Sequence, residues 1–232
     1  GMLKKYQHRA LIITTNTCPV HCRYCFRKDY PYSRETPNQR RYETALTAVK
    51  NDRSLNEIIL SGGDPLSLDD DLLGYLFTSL AAIKHIKTVR VHTKFPSIYP
   101  QRVTHQLLTL LANTRLNTVV VLHINHPEEI NQSVKDAAEQ IRQTNTTTLN
   151  QAVLLRGVND NADTLVELSR KLFSAGILPY YLHLLDKAKG THHFYVQRAR
   201  AEMIMQQLKQ RLPGYLVPKL AQEISGHRSK DY

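Results

Sequence analysis

Six short apolar segments, each followed by a stretch of helical period, alternate along this chain, and nothing else in the sequence restricts its fold as much. The strand-like segments are Ala10–Thr15, Glu57–Leu60, Thr88–Thr93, Asn117–Ile124, Thr147–Leu154 and Pro179–Leu184. They are short and rich in β-branched residues, and most are bounded by polar or turn residues. Between and after them, helices are expected over Tyr42–Lys50, after Ser67, over Gln101–Asn113, from Pro127, over Asn161–Ala175 and over Val196–Leu212. Leu73, Leu76, Leu80 and Ile83 form one apolar stripe, and Ser67 is positioned to cap it. Strand and helix joined by short connections require a mainly parallel sheet with helical crossovers. Such a sheet closes as a doubly wound layer or as a partial (β/α)6 barrel. The chemistry-bearing residues cluster near the carboxyl ends of successive strands rather than at one crevice, which selects the α/β partial barrel.

The second constraint is Cys18-Pro-Val-His-Cys22-Arg-Tyr-Cys25, directly after the first strand. These are the only cysteines among 232 residues, and their clustering argues against a disulfide framework and for a reducing, cytoplasmic setting. Three thiolates so close in sequence can reach one metal centre. A structural zinc site needs a fourth ligand, for which His21 is the candidate. Three sulfurs on a four-iron cube instead leave one iron open to another ligand. A hydrophobic content of 41% supports a sizeable core, and no apolar run has the length of a membrane span. The net charge of +11 is spread along the chain with no recognisable nucleic-acid-binding module, so it reads as a basic surface with some cations aimed at anionic cofactors. Gly1-Met2 precedes the first segments with no start-like element, which reads as a fragment lacking an amino-terminal region.

The C-x₃-C-x₂-C spacing resembles that of radical S-adenosylmethionine (radical SAM) enzymes. His8-Arg9-Ala10-Leu11, Cys-Arg-Tyr-Cys-Phe-Arg, Ser-Gly-Gly-Asp-Pro-Leu, His-Ile-Asn-His and Leu-Asn-Gln together resemble the lysine 2,3-aminomutase family. Pro-Tyr-Tyr-Leu-His-Leu-Leu-Asp-Lys and Gly-Tyr-Leu-Val-Pro-Lys-Leu resemble its subgroup that supplies (R)-β-lysine for modification of elongation factor P. The resemblance implies an isomerase with a 4Fe–4S cluster on Cys18, Cys22 and Cys25, S-adenosylmethionine on the open iron, and pyridoxal 5′-phosphate. It implies that a 5′-deoxyadenosyl radical starts a 1,2-amino migration on L-lysine, with an electron donor such as flavodoxin or ferredoxin reducing the cluster.

Residue by residue, the resemblance makes Ser61, Gly62, Gly63 and Asp64 the turn that meets S-adenosylmethionine; alone, that sequence is an ordinary tight turn. It gives Tyr24, His123 and Gln151 contacts to the same ligand, although His123 and Gln151 also read as satisfied core polar groups. Lys230 becomes the pyridoxal phosphate lysine, where position alone reads as a solvated charge near the chain end. Arg9 is assigned to that cofactor's phosphate and Tyr6 to its ring, while Lys5 reads equally as a second phosphate cation or as basic surface. Arg27 is assigned to the substrate carboxylate and Asp186 and Glu223 to its distal ammonium. Residues 1–213 are then the radical SAM barrel and 214–232 a segment carrying Lys230. An aminomutase for another amino acid, or a non-catalytic metal- or partner-binding protein, are the alternatives.

Overall fold

The computed structural model describes residues 2–28 and 39–222. Its single sheet holds eight strands in sequential order: β1 (Met2–Leu3), β2 (Arg9–Thr15), β3 (Glu57–Gly62), β4 (Thr88–Thr93), β5 (Asn117–Leu122), β6 (Thr147–Val153), β7 (Leu178–His183) and β8 (Lys219–Ala221). β1 is antiparallel to β2, and every later pairing is parallel. The helices are α1 (Gln39–Asn51), α2 (Asp70–Ala82), α3 (Phe95–Ile98), α4 (His105–Asn113), α5 (Gln132–Gln143), α6 (Ala162–Ser174) and α7 (Arg198–Arg211). A sequential parallel order with right-handed crossovers puts all helices on one face, so the sheet curls around the other. β1 and β8 are its two edges and do not pair, which makes the barrel a partial one.

The two faces of the sheet differ chemically, because side chains alternate along each strand. Ala10, Ile12, Ile58, Leu60, Val89, Val91, Val120, Leu122, Ala152 and Leu182 join the hydrophobic core under the helices. The alternate positions, on the inner face, carry Arg9, Glu57, Ser61, Arg90, His92, His123, Gln151 and His183. Within that face Arg90 Nε donates to Glu57 Oε1 at 2.6 Å. Ile13, Ile59 and Val121 are buried on the same face, so the cations, carboxylate and imidazoles interrupt the hydrocarbon layers that fill a closed barrel and suit the interior to polar ligands.

The element boundaries correct several sequence expectations. Ser67 closes a 3₁₀ turn, Pro65–Ser67, and α2 is instead capped by Asp69, whose side chain accepts from Leu72 N at 2.7 Å. Pro127 opens a 3₁₀ turn and α5 begins at Gln132 after an Asn131 cap. The segment expected as one helix over Gln101–Asn113 is a 3₁₀ turn, Pro100–Arg102, followed by α4 with Thr104 as its cap. Lys219–Ala221, beyond the last helix expected from sequence, form a further strand, β8, beside β7.

Arg115 joins two units at the amino-terminal end of the barrel. Its guanidinium donates to Ala81 O, Ile83 O and Ile86 O at 2.6, 2.7 and 2.9 Å, tying the last turn of α2 to the connection into β4. The bonds are charge-assisted but partly solvent-facing, so Arg115→Ala is expected to cost about 1–2 kcal/mol in urea unfolding. An unchanged midpoint would show these contacts to be incidental.

Candidate active site

The cysteine loop leaves β2 and is held by the turn after β3. Gly63 N donates to Thr15 O and Asp64 N to Thr17 O, both at 2.7 Å, while Ser67 Oγ donates to Thr17 O at 3.1 Å. The two glycines are required by this approach. A Cβ at Gly63 would lie 2.2 Å from Thr17 O, and Gly62 has φ +127° with Thr15 O 2.8 Å from its own would-be Cβ. Asp64 braces the turn from beneath. It is buried, and its carboxylate accepts from Leu66 N at 3.0 Å, Thr93 Oγ1 at 2.7 Å and Lys94 N at 2.6 Å. Burial raises its pKa and these donors oppose the rise.

The three cysteines are half-buried and reduced. Burial, the carboxylate of Asp64 and the charges of Cys25 and Cys22 push the Cys18 thiol up to about 12, and Arg27 opposes them. Burial likewise raises Cys22. The sulfurs therefore lie within electrostatic reach of one another. A tetrahedral zinc site closes with a fourth protein ligand, whereas three cysteines at separate corners of a cubane leave one iron open. His21, the fourth ligand a zinc site would need, is exposed. The thiol set fits a cluster.

Arg27 joins this loop to the glycine turn, its Nη1 donating to Ser61 Oγ and to Gly62 O, both at 2.9 Å. Tyr24 joins the same loop to β5. Its hydroxyl is 3.1 Å from His123 Nε2 and receives a bond from Asn125 Nδ2 at 2.5 Å. Its ring stacks on His123 at 5.8 Å between centroids and meets Phe194 edge-on. Burial, then Lys94, then His183 lower the His123 pKa from 6.5 to about 3, so its imidazole is neutral at pH 7. A base depressed on folding contributes stability that is full above its free pKa and is lost as pH falls through that window. Wild type should therefore lose stability between pH 6.5 and about 3, by at most about 1.4 kcal/mol per unit, relative to His123→Gln. Parallel urea-unfolding profiles of the two proteins would contradict this.

Sequence reading passed over the residues that tie these parts together. Lys94 Nζ donates to His123 O at 2.9 Å and to Glu129 Oε2 at 2.6 Å. Glu129 Oε1 accepts from Asn125 N and His126 N, and Asn159, wholly buried, donates to Asn125 O. Asn125 lies within the His-Ile-Asn-His motif, but only burial and its tertiary contacts, with Tyr24, Glu129, Val153 and Asn159, distinguish it from a surface asparagine.

The remaining expected residues are dispersed. Gln151 lies on the inner face within β6 rather than past its end, two residues before Val153. Asp186 follows β7 by three residues and is half-buried. Arg9 opens β2, about 20 Å of strand from Thr15, so it faces the amino-terminal part of the interior. Its guanidinium lies 3.7 Å from the Tyr6 ring centroid, and Lys5 Nζ is 5.9 Å from the same ring. The Tyr6 hydroxyl is buried with no hydrogen-bond partner among the described residues, so the pair leaves a polar demand that a cofactor could meet. Glu223 and Lys230 lie outside the described residues.

The family model described as the radical SAM superfamily matches residues 12–169. The L-lysine 2,3-aminomutase of Escherichia coli strain K12 is 47% identical over 230 residues, 99% of this chain and 67% of that protein. That of Buchnera aphidicola subsp. Baizongia pistaciae is 45% identical over 232 residues, 100% of this chain and 68% of its own. The L-lysine 2,3-aminomutase of Clostridium subterminale is 32% identical and 55% covered. A crystal structure of a radical SAM methyltransferase from Sphaerobacter thermophilus shares the fold, with TM-score 0.59 at 14% identity over 92% of this chain and 66% of that one. The chain spans about two thirds of the length of its nearer curated relatives. With a cluster-type thiol loop seated on a glycine turn at the mouth of a polar partial barrel, the chain belongs to the lysine 2,3-aminomutase family of radical SAM enzymes.

Proposed function

We propose that this enzyme converts L-lysine to (R)-β-lysine, exchanging hydrogen and the α-amino group between C2 and C3, and that the product serves modification of elongation factor P. The full-chain identity of 45–47% to enzymes of that name carries the reading. The family implies a 4Fe–4S cluster, S-adenosylmethionine and pyridoxal phosphate. Bound, they supply one-electron cleavage of a sulfonium C–S bond and an electron sink for nitrogen migration.

This chain's residues bind, orient and exclude water. Cys18, Cys22 and Cys25 hold the cluster on a loop fixed by Thr15, Thr17 and the glycine turn. Ser61, Gly62, Gly63 and Asp64 shape the ligand side of that loop, with Tyr24, His123 and Gln151 beside it. Arg27 already touches Ser61 and Gly62, so a substrate carboxylate paired with it lies next to the cluster loop. Asp186, with Glu223, takes the distal ammonium. Arg9 and Tyr6 hold the cofactor phosphate and ring, and Lys230, in a carboxyl-terminal segment over 214–232, is its attachment point. An acidic one-electron protein such as flavodoxin or ferredoxin serves as reductant.

Anaerobic incubation of the cluster-loaded protein with L-lysine, S-adenosylmethionine, pyridoxal phosphate and dithionite, followed by chiral chromatography, tests the reading. (R)-β-lysine is the expected product. Its absence with all three cofactors bound, or faster turnover of another amino acid, overturns the substrate assignment.

A further inference from the structure

The cross-strand neighbour of Arg9 is a carboxylate that does not pair with it. In the register of β2 and β3, Arg9 stands opposite Glu57, and both side chains lie on the inner face. Neighbouring strands run about 4.8 Å apart, so an arginine and a glutamate placed this way are within easy reach of each other. Glu57 turns instead toward β4, where its Oε1 accepts from both Nε and Nη2 of Arg90, the former at 2.6 Å. Arg90 stands opposite Ile59, two residues along β3 from Glu57, so the ion pair runs diagonally across the sheet. The two side chains are only 12% and 21% exposed, so solvent does little to loosen them. The Arg9 guanidinium lies over the Tyr6 ring, 3.7 Å from its centroid, and has no ion pair among the described residues. Stacking uses the face of a guanidinium and leaves its in-plane N–H donors for an anion.

We infer that Arg90 is a positioning residue that holds Glu57 away from Arg9 and so keeps the Arg9 charge available to the phosphate of pyridoxal phosphate. The cause is competition between anions. A carboxylate and a phosphate bind the same donors of an arginine, so a Glu57 released from Arg90 would occupy Arg9 and repel the phosphate as well. Two cations and one anion leave a single positive charge for the cofactor. Removing Arg90 leaves none, whereas removing Glu57 frees a second cation. The two halves of one ion pair should therefore change cofactor binding in opposite directions.

The inference rests on Arg9 as the phosphate cation under Proposed function, and the experiment separates the two. Cluster-loaded wild type and variants, freed of pyridoxal phosphate, are titrated with pyridoxal phosphate and with pyridoxal, which lacks the phosphate, while cofactor absorbance is followed. Arg90→Gln should bind pyridoxal phosphate about tenfold more weakly than wild type, the scale of one hydrogen bond to a charged group. Glu57→Gln should bind it as tightly or more tightly, and the double variant should return to the wild-type affinity. Pyridoxal affinity should stay the same in all three. A pair that only braces the fold would weaken both single variants alike, and that result overturns the inference, as does an Arg90→Gln affinity equal to wild type. If Arg90→Gln does not fold, Glu57→Gln and the double variant decide, since weaker phosphate-dependent binding in either overturns it. Arg9→Gln tells the two readings apart. Loss of phosphate-dependent binding there, with Arg90→Gln unchanged, overturns the inference alone; an Arg9→Gln variant that binds like wild type overturns the assignment of Arg9 as well.

Discussion

Gly63→Ala should yield a protein that no longer holds iron and unfolds at markedly lower urea concentration. The added methyl carbon would lie 2.2 Å from Thr17 O and 2.8 Å from both Thr17 C and Thr17 N. All three are backbone atoms one residue from Cys18, so no side-chain rotation relieves the clash. Either β3's turn or the start of the cysteine loop must move. Moving them breaks the 2.7 Å bonds from Gly63 N to Thr15 O and from Asp64 N to Thr17 O. With the collision added, the cost lies above about 3 kcal/mol, in the range reserved for backbone conflicts in packed sites. Gly74→Ala is the control, because nothing lies within 4 Å of its would-be Cβ and it sits inside α2. It should keep iron and match or exceed wild-type stability. Iron retention by Gly63→Ala at wild-type stability would refute the seating of the loop.

The second large effect separates a cluster from a zinc site. Replacing Cys18, Cys22 or Cys25 singly with Ala should abolish iron binding, because each thiolate serves its own corner of the cube. His21→Ala should retain the full iron content, since His21 is exposed and the proposed cluster does not use it. A zinc site built from the same loop predicts a different pattern: zinc in place of iron and a large loss of affinity in His21→Ala. Metal analysis of the four variants after anaerobic loading decides between them.

Much of this architecture was legible in the sequence, for identifiable reasons. Thr88-Val-Arg-Val-His-Thr93 alternates strictly, and β4 has those bounds. α6 follows its leucine stripe, with Leu165, Leu168 and Leu172 all buried, and Gly176 follows with φ +72°. β1 and β8 escaped notice because strands of two and three residues carry no period; only pairing with β2 and β7 defines them. Pro127 misled because a proline suits the first turn of a 3₁₀ segment as well as that of a helix.

The site was legible where motif and local geometry coincide, as at the cysteine loop and the glycine turn. What the sequence withheld were the long-range reasons. Ser-Gly-Gly-Asp reads as a turn, but its second glycine is required by Thr17, far away in sequence. Asn125, Lys94 and Glu129 look like ordinary polar residues until folding gathers them around His123 and Tyr24. Arg9 sits far along β2 from the cysteines, a separation that no motif spacing conveys.

The claim on which the rest depends is that three thiols hold a cluster with one iron open to S-adenosylmethionine. Electron paramagnetic resonance of the anaerobically loaded, reduced protein, recorded before and after adding S-adenosylmethionine, tests it most directly. The account predicts about four irons and four sulfides per chain and a spectrum that changes when the ligand occupies the open iron. A cluster signal that S-adenosylmethionine leaves unchanged, or a loop that takes up one zinc and no sulfide, would contradict it.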